Sequence, residues 1–229
     1  MQISIIIPTL NEVANIGPLI DFLQKAPDYD QVAEIIIADG GSSDGTLSIV
    51  IEKNIRLLEC AQQGRAAQMN EAAGLAKGEI LYFVHADVFP PPTFVKAIQN
   101  AIQTGHRMGC FAYRFNSDSK LLQLNAFFTR FDWMANGGGD QTLFISRACF
   151  EKSGGFKTDL PIMEDFEFVW RNKKEYGFHL LPGRALVSAR KYRHNSYWKV
   201  QWVNAFTFLA FRFGAAPEKL SKWYRKMLG

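Results

Sequence analysis

Carboxylates recur in this chain where short apolar runs end. The run at 3–7 leads to Pro8, Thr9, Asn11 and Glu12, the run at 34–38 leads to Asp39, and the run at 79–84 leads to His85 and Asp87. Acids after three separate buried strands form a candidate site. They suit a hard divalent cation bridging phosphates, because such ions take oxygen ligands. Taken singly, Glu12 and Asp39 also read as turn residues or helix caps, a common use of such side chains. Two further groups lie downstream. Gly137-Gly138-Gly139-Asp140 could let a backbone approach a ligand closely, with Asp140 and Gln141 beside it to hydrogen-bond hydroxyl groups; a plain turn is the alternative. Glu164-Asp165 opens a helical stretch, whose start tends to keep Asp165 ionised and so fit to act as a base. An acidic helix start with no chemistry is the alternative there.

These residues can meet only if the fold brings strand ends together. β-branched or apolar runs at 3–7, 34–38, 56–59 and 79–84 read as strands, the first ended by Pro8. Between them, 15–25, 46–53 and 65–76 show helical spacing, and 94–103 follows as a fourth helix. This alternation predicts a mostly parallel α/β sheet covered on both faces, with ligands at the carboxyl ends of its strands. The second half is less regular. It suggests strands at 110–115, 142–146 and 185–188, and helices at 121–136, 164–176, 197–213 and 217–227. The expected organisation is one body at 1–190, divided at 104/105 into a regular front half and a less regular second half. Basic aromatic helices at 191–229 are expected to pack on that body.

Composition narrows the function. The 229 residues are 48% hydrophobic and 21% charged, ordinary globular values, and 26 bases against 22 acids leave +4. That balance, with no recognised motif, does not indicate nucleic acid as a partner. Cys60, Cys110 and Cys149 are odd in number and lack a C-x-x-C spacing, so a reducing, cytoplasmic setting is expected. The opening MQISIIIPTLNE lacks the basic region of a signal peptide, and no apolar stretch approaches a membrane span. From Arg184 onward there are ten bases and one acid, against 16 bases and 21 acids before it. Tyr197, Trp198, Trp202, Phe206, Phe208, Phe211 and Phe213 interleave with Lys199 and Arg212 in that tail. Such a helix can lie in a membrane interface, here the inner face, or cover the sheet or a homodimer contact. P-loop, dinucleotide and G-x-S-x-G fingerprints are absent, as is a zinc-type histidine pair.

The stretches SIIIPTLNE, IIADGGSSDGT, GRAAQMNEAAGLAKGEILYFVHADV, GGGDQTLFISRACFEKSGGF and MEDFEFVWR, in this order, resemble the family-2 glycosyltransferases. These are inverting enzymes of the GT-A fold that use nucleotide-diphospho sugars. The His85-Ala86-Asp87 triplet, the short length and the RFGAAPEKL segment look like a small bacterial subgroup, some members of which are described as carotenoid-type glycosyltransferases.

The resemblance implies roles. Pro8, Thr9 and Glu12 would line the nucleotide pocket, Asp39 would bind the base, and Arg65 would reach the nucleotide. Asp87 would hold Mn²⁺ or Mg²⁺. His85 stands where the family has the first aspartate of D-x-D, so it would touch ribose or pyrophosphate instead. Asp165 would be the general base. Glu164, Arg171, Asp140 and Gln141 would face the sugar or the acceptor, whose identity the residues leave open. The processive Q-x-x-R-W signature is absent, with Arg190-Lys191-Tyr192 a distant echo. Two other readings compete. A sugar-nucleotide pyrophosphorylase wants a glycine-rich basic first loop, which PTLNE lacks. A non-catalytic nucleotide-sugar binder would not need both Asp87 and Asp165.

Overall fold

A computed structural model describes residues 1–128 and 142–228. Its strands are β1 (Ile3–Thr9), β2 (Val32–Asp39), β3 (Arg56–Glu59), β4 (Ile80–Phe83), β5 (Val88–Phe89), β6 (Met108–Phe115), β7 (Leu143–Ser146) and β8 (His179–Val187). They form one sheet in the order β3-β2-β1-β4-β7-β6-β8-β5. The first four pair in parallel; β7 enters antiparallel between β4 and β6, and β8 returns parallel to β6. This is the curled, mostly parallel sheet of the GT-A fold.

Strand β1 lies at the centre and is buried along its whole length. Successive side chains of a strand point to opposite faces, and the core divides accordingly. Ile3, Ile5 and Ile7 pack with Ile16, Leu19, Ile20 and Leu23 of α1 (Val13–Gln24) and with α4 (Phe94–Gln103). Ile6 faces the other way, with Met69, Ala72 and Ala73 of α3 (Arg65–Leu75) and with Phe150, Phe156 and Phe168. Each fully buried isoleucine contributes about 1.5–3 kcal/mol. Alanines on α3 let that helix lie close to the sheet, which brings its first residue, Arg65, to the strand ends. Helix α2 (Thr46–Glu52) follows the β2 loop.

Three departures from the sequence reading have physical causes. Strand β1 runs through Pro8 to Thr9. The carbonyl of Ile6 accepts from Val84 N, and Pro8, two residues on, faces the same side beyond the last residue paired with β4. Its missing N–H therefore costs no ladder bond. Strand β8 is continuous from 179, and Pro182 with Gly183 (φ 108°) is absorbed near a register shift between Phe111 and Ala112 of its partner. Strand β5 and helix α6 (Arg147–Ser153), the latter capped by Ser146, are too short to show a period.

Helix α5 (Lys120–Phe128) covers the first part of the span expected to be helical to 136. Helix α7 (Glu164–Tyr176) has the expected bounds. The last helices are α8 (Tyr197–Arg212) and α9 (Pro217–Leu228). Phe208 of α8 sets its ring edge-on to Trp170 and Phe166 of α7, and Arg212 lies over Trp170.

Candidate active site

The strand ends open on a cleft of about 1370 Å³. Pro8, Thr9 and Glu12 from the end of β1, Arg65 from the start of α3, and His85 and Asp87 after β4 all line it. So does a segment that the sequence reading did not place here: Arg190 to Asn195 after β8, with Lys199, Glu218 and Arg225 of the two last helices. The basic tail thus folds over the strand ends. The bases Arg65, Arg190, Lys191, Arg193, Lys199 and Arg225 outnumber the acids Glu12, Asp87, Asp159 and Glu218 in the lining. A cleft of this balance attracts a polyanion. The signal available in the sequence was the charge excess after Arg184.

Arg190 ties the walls together. Its guanidinium donates to both carboxylate oxygens of Glu12, at 2.8 and 3.1 Å, and its Nε lies 3.3 Å from Asp87 Oδ2. Planar, forked donors hold carboxylates in this bidentate way. Asn15 Nδ2 donates to the same Glu12 at 2.6 Å. The loop after β4 is fixed to β8 as Ser188 N donates to the Asp87 carbonyl.

Next to the cleft residues Arg65 and His85, three distant segments meet. Arg65 Nε lies 2.7 Å from Glu164 Oε1, although neither Glu164 oxygen accepts an aligned hydrogen bond among the described residues. This is an ion-pair contact on a carboxylate only 1% exposed. The Arg65 side chain is 44% exposed, so water screens the pair from one side. Asp165 follows at the start of α7 and is also buried; His85 Nε2 lies 3.9 Å from its Oδ2, beyond hydrogen-bond reach. Burial, then the charges of Arg65 and Lys191, push the His85 imidazole down to about 3, so it is neutral at physiological pH. Met163, in the left-handed region at φ 69°, sets the angle at which α7 starts. Backbone outliers of this kind cluster at functional sites.

Gln68 was not foreseen. It is buried on α3, and its Nε2 donates to the carbonyls of Thr9 and Ala38, at 2.8 and 2.7 Å. It bridges the last carbonyl of β1 and the next-to-last carbonyl of β2, and its Oε1 accepts from Gly64 N, which anchors the turn that carries Arg65.

Two expected site residues are not among those that line the cleft. Asp39 does not line the cleft. Its carboxylate is fully buried and is used by its own loop: Oδ2 accepts Gly41 N and Ser42 N, both at 2.8 Å, and Oδ1 accepts the Ser42 hydroxyl. In this arrangement it shapes the loop and does not present itself to a base. Asp39→Asn should therefore lose about 1–3 kcal/mol of stability by denaturant unfolding, the cost of buried donors left without an acceptor. Arg171 is also away from the cleft. It donates to Ser153 O and Gly155 O and pairs with Glu167, fastening the turn before α7. Glu164 is the partner of Arg65 and is 1% exposed. Asp140 and Gln141 lie outside the described residues.

A divalent cation fits this donor set in one way. Among the described residues no cluster of three His, Cys, Asp or Glu forms a protein cage. Asp87 is a single carboxylate on an open, basic cleft, which suits the mode in which one carboxylate and substrate phosphates share the ion.

The comparisons with known proteins agree with this arrangement. The family model "Glycosyl transferase family 2" matches residues 4–156. Glucosyl-3-phosphoglycerate synthase of Mycobacterium tuberculosis is 30% identical over 112 residues, which is 45% of this chain and 34% of that protein. The chain thus spans about a third of the length of the curated relatives it matches. Among solved structures, the mannosyltransferase PcManGT from Pyrobaculum calidifontis, in complex with GDP-Man and Mn²⁺, superposes with a TM-score of 0.69 at 20% identity, covering 98% of this chain and 68% of that one. S. aureus TarS 1-349 in complex with UDP-GlcNAc gives 0.63 at 17% identity, covering 100% and 70%. These two likenesses are of fold. The family match covers most of the chain and includes every strand-end residue of the cleft up to Asp87: the chain belongs to glycosyl transferase family 2.

Proposed function

We propose that this protein transfers a sugar from a nucleotide-diphospho sugar to an acceptor hydroxyl with inversion. One observation carries the reading: Asp87, His85 and a wall of arginines and lysines line one cleft at the carboxyl ends of the strands, and Asp165 lies behind His85, 3.9 Å from its Nε2. The donor is a diphosphate, and the wall is basic where it would lie.

In the reaction the bond from the anomeric carbon to the phosphate oxygen breaks, and its electron pair leaves with the nucleoside diphosphate. The acceptor oxygen attacks from the opposite face and gives its proton to Asp165. Arg65, Lys191 and Arg190 hold the phosphates, and Glu12 fixes Arg190. Asp87 would hold a divalent cation, Mn²⁺ or Mg²⁺, which when bound supplies a Lewis acid for the negative charge on the leaving group. Arg190 neutralises Asp87 and Glu12 here and lines the cleft where the phosphates would lie. Arg190→Gln should weaken nucleoside-diphosphate binding about tenfold to a hundredfold, the range of a charge-assisted hydrogen bond, as read by calorimetric titration.

The acceptor we favour is a lipid or carotenoid-like hydroxyl or carboxyl, because the C-terminal helices are rich in aromatic side chains. The protein would work in the cytoplasm, at the inner face of the membrane. The test is to incubate it with UDP-glucose, UDP-N-acetylglucosamine or GDP-mannose and Mn²⁺, with lipid extract as acceptor source, and follow release of nucleoside diphosphate. Release from one donor, with the sugar recovered on a lipid, supports the reading. A folded protein that releases none overturns it.

A further inference from the structure

Helix α8 has two apolar faces, and only one is covered. Val200, Val203 and Thr207 are buried. Trp198, Trp202, Phe206, Leu209 and Phe213 recur at steps of four, four, three and four, so they form one stripe along the helix. All five are exposed, Trp198 by 71% and Phe213 by 85%. Trp223 of α9 widens the stripe, its ring centroid 4.6 Å from that of Phe206 and 5.9 Å from that of Trp202. On α9, exposed Lys219, Lys222 and Lys226 recur at steps of three and four, which sets a row of ammonium groups next to Trp223. An exposed ridge of this size marks an interaction surface.

Charge selects the partner. A two-fold contact through this face would set the lysine row against its own copy, at a cost in like-charge repulsion. An anionic bilayer accommodates both features: aromatic rings and leucine at the headgroup boundary, and lysines over the lipid phosphates. The geometry points to the α8–α9 face as a docking surface for anionic phospholipid membranes. No described helix is long and apolar enough to cross a membrane, so the contact is interfacial. The same two helices line the cleft through Lys199, Asn204, Glu218 and Arg225, so docking holds the cleft close to the lipid surface. Its use in presenting a lipid-borne acceptor rests on the proposed glycosyl transfer; the docking itself does not.

Co-sedimentation with vesicles tests it, with no nucleotide or acceptor present. The full chain should bind phosphatidylcholine–phosphatidylglycerol vesicles, bind pure phosphatidylcholine far less, and come off as salt rises. Replacing Lys219, Lys222 and Lys226 together by Gln should weaken binding by about two orders of magnitude. These side chains are exposed, so circular dichroism and the melting temperature should stay unchanged. Trp202→Ser, checked the same way, should also weaken binding, through the apolar half of the surface. Equal binding to both vesicle types, or none to either, overturns the proposal. So does a dimer of the wild type that Trp198→Ser and Phe213→Ser dissociate, because the face would then be a self-contact. Because no donor is used, these outcomes are independent of whether sugar transfer is correct.

Discussion

Asp165→Asn should lower sugar transfer by about 10²–10⁴-fold and leave nucleoside-diphosphate binding unchanged. The acceptor hydroxyl is a weak nucleophile and needs its proton taken as it attacks. Asp165 is a carboxylate at the start of α7, 3.9 Å from His85 Nε2 and next to Glu164, which pairs with Arg65. Asparagine keeps the size and removes the basic oxygen. The residues assigned to the donor, Arg65, Asp87 and Arg190, come from other segments, so donor affinity should hold. A near wild-type rate would remove Asp165 from the mechanism and make Asp140 or Glu164 the next candidate. Comparing single-turnover rate with donor affinity in one preparation separates the base from a misfolded pocket.

Asp87→Ala should abolish the gain in nucleotide affinity that Mn²⁺ confers, a loss of at least about a hundredfold in metal affinity, given that even outer-sphere changes at metal sites cost about 10–100-fold. The fold should survive. The carbonyl of residue 87, which accepts Ser188 N, is unchanged by the substitution, and Arg190 keeps Glu12. Without Mn²⁺ the variant and wild type should bind nucleotide alike. A variant that still binds more tightly with Mn²⁺ would place the cation elsewhere.

Much of the front half was legible because its periods are clean. Residues 3–7 and 34–38 are continuous apolar runs, as strands buried on both faces must be, and α3 shows its alanine stripe. The strand-end residues Thr9, Glu12, His85 and Asp87 were therefore placed by topology. What the sequence did not show has tertiary causes. Asp39 has the residue type for either base recognition or a turn, and only the positions of Gly41 N and Ser42 N show that the loop uses both carboxylate oxygens. Arg171 lies two helical turns after Glu164, yet the carbonyls of Ser153 and Gly155 lie within its reach and hold it there. Arg190 is 178 residues from Glu12, and no local pattern reports a pairing at that distance. Gln68 was hidden for the same reason: a polar residue in an alanine-rich helix reads as solvent-facing until two carbonyls are found above it.

The central claim is that the basic cleft at the strand ends is built for a nucleoside diphosphate held with a divalent cation. Calorimetric titration of the full chain with UDP and with GDP, each with and without Mn²⁺, tests it most directly. The account expects one of the two nucleotides to bind, and to bind much more tightly with Mn²⁺. No binding of either nucleotide by folded protein, with or without the ion, would contradict it.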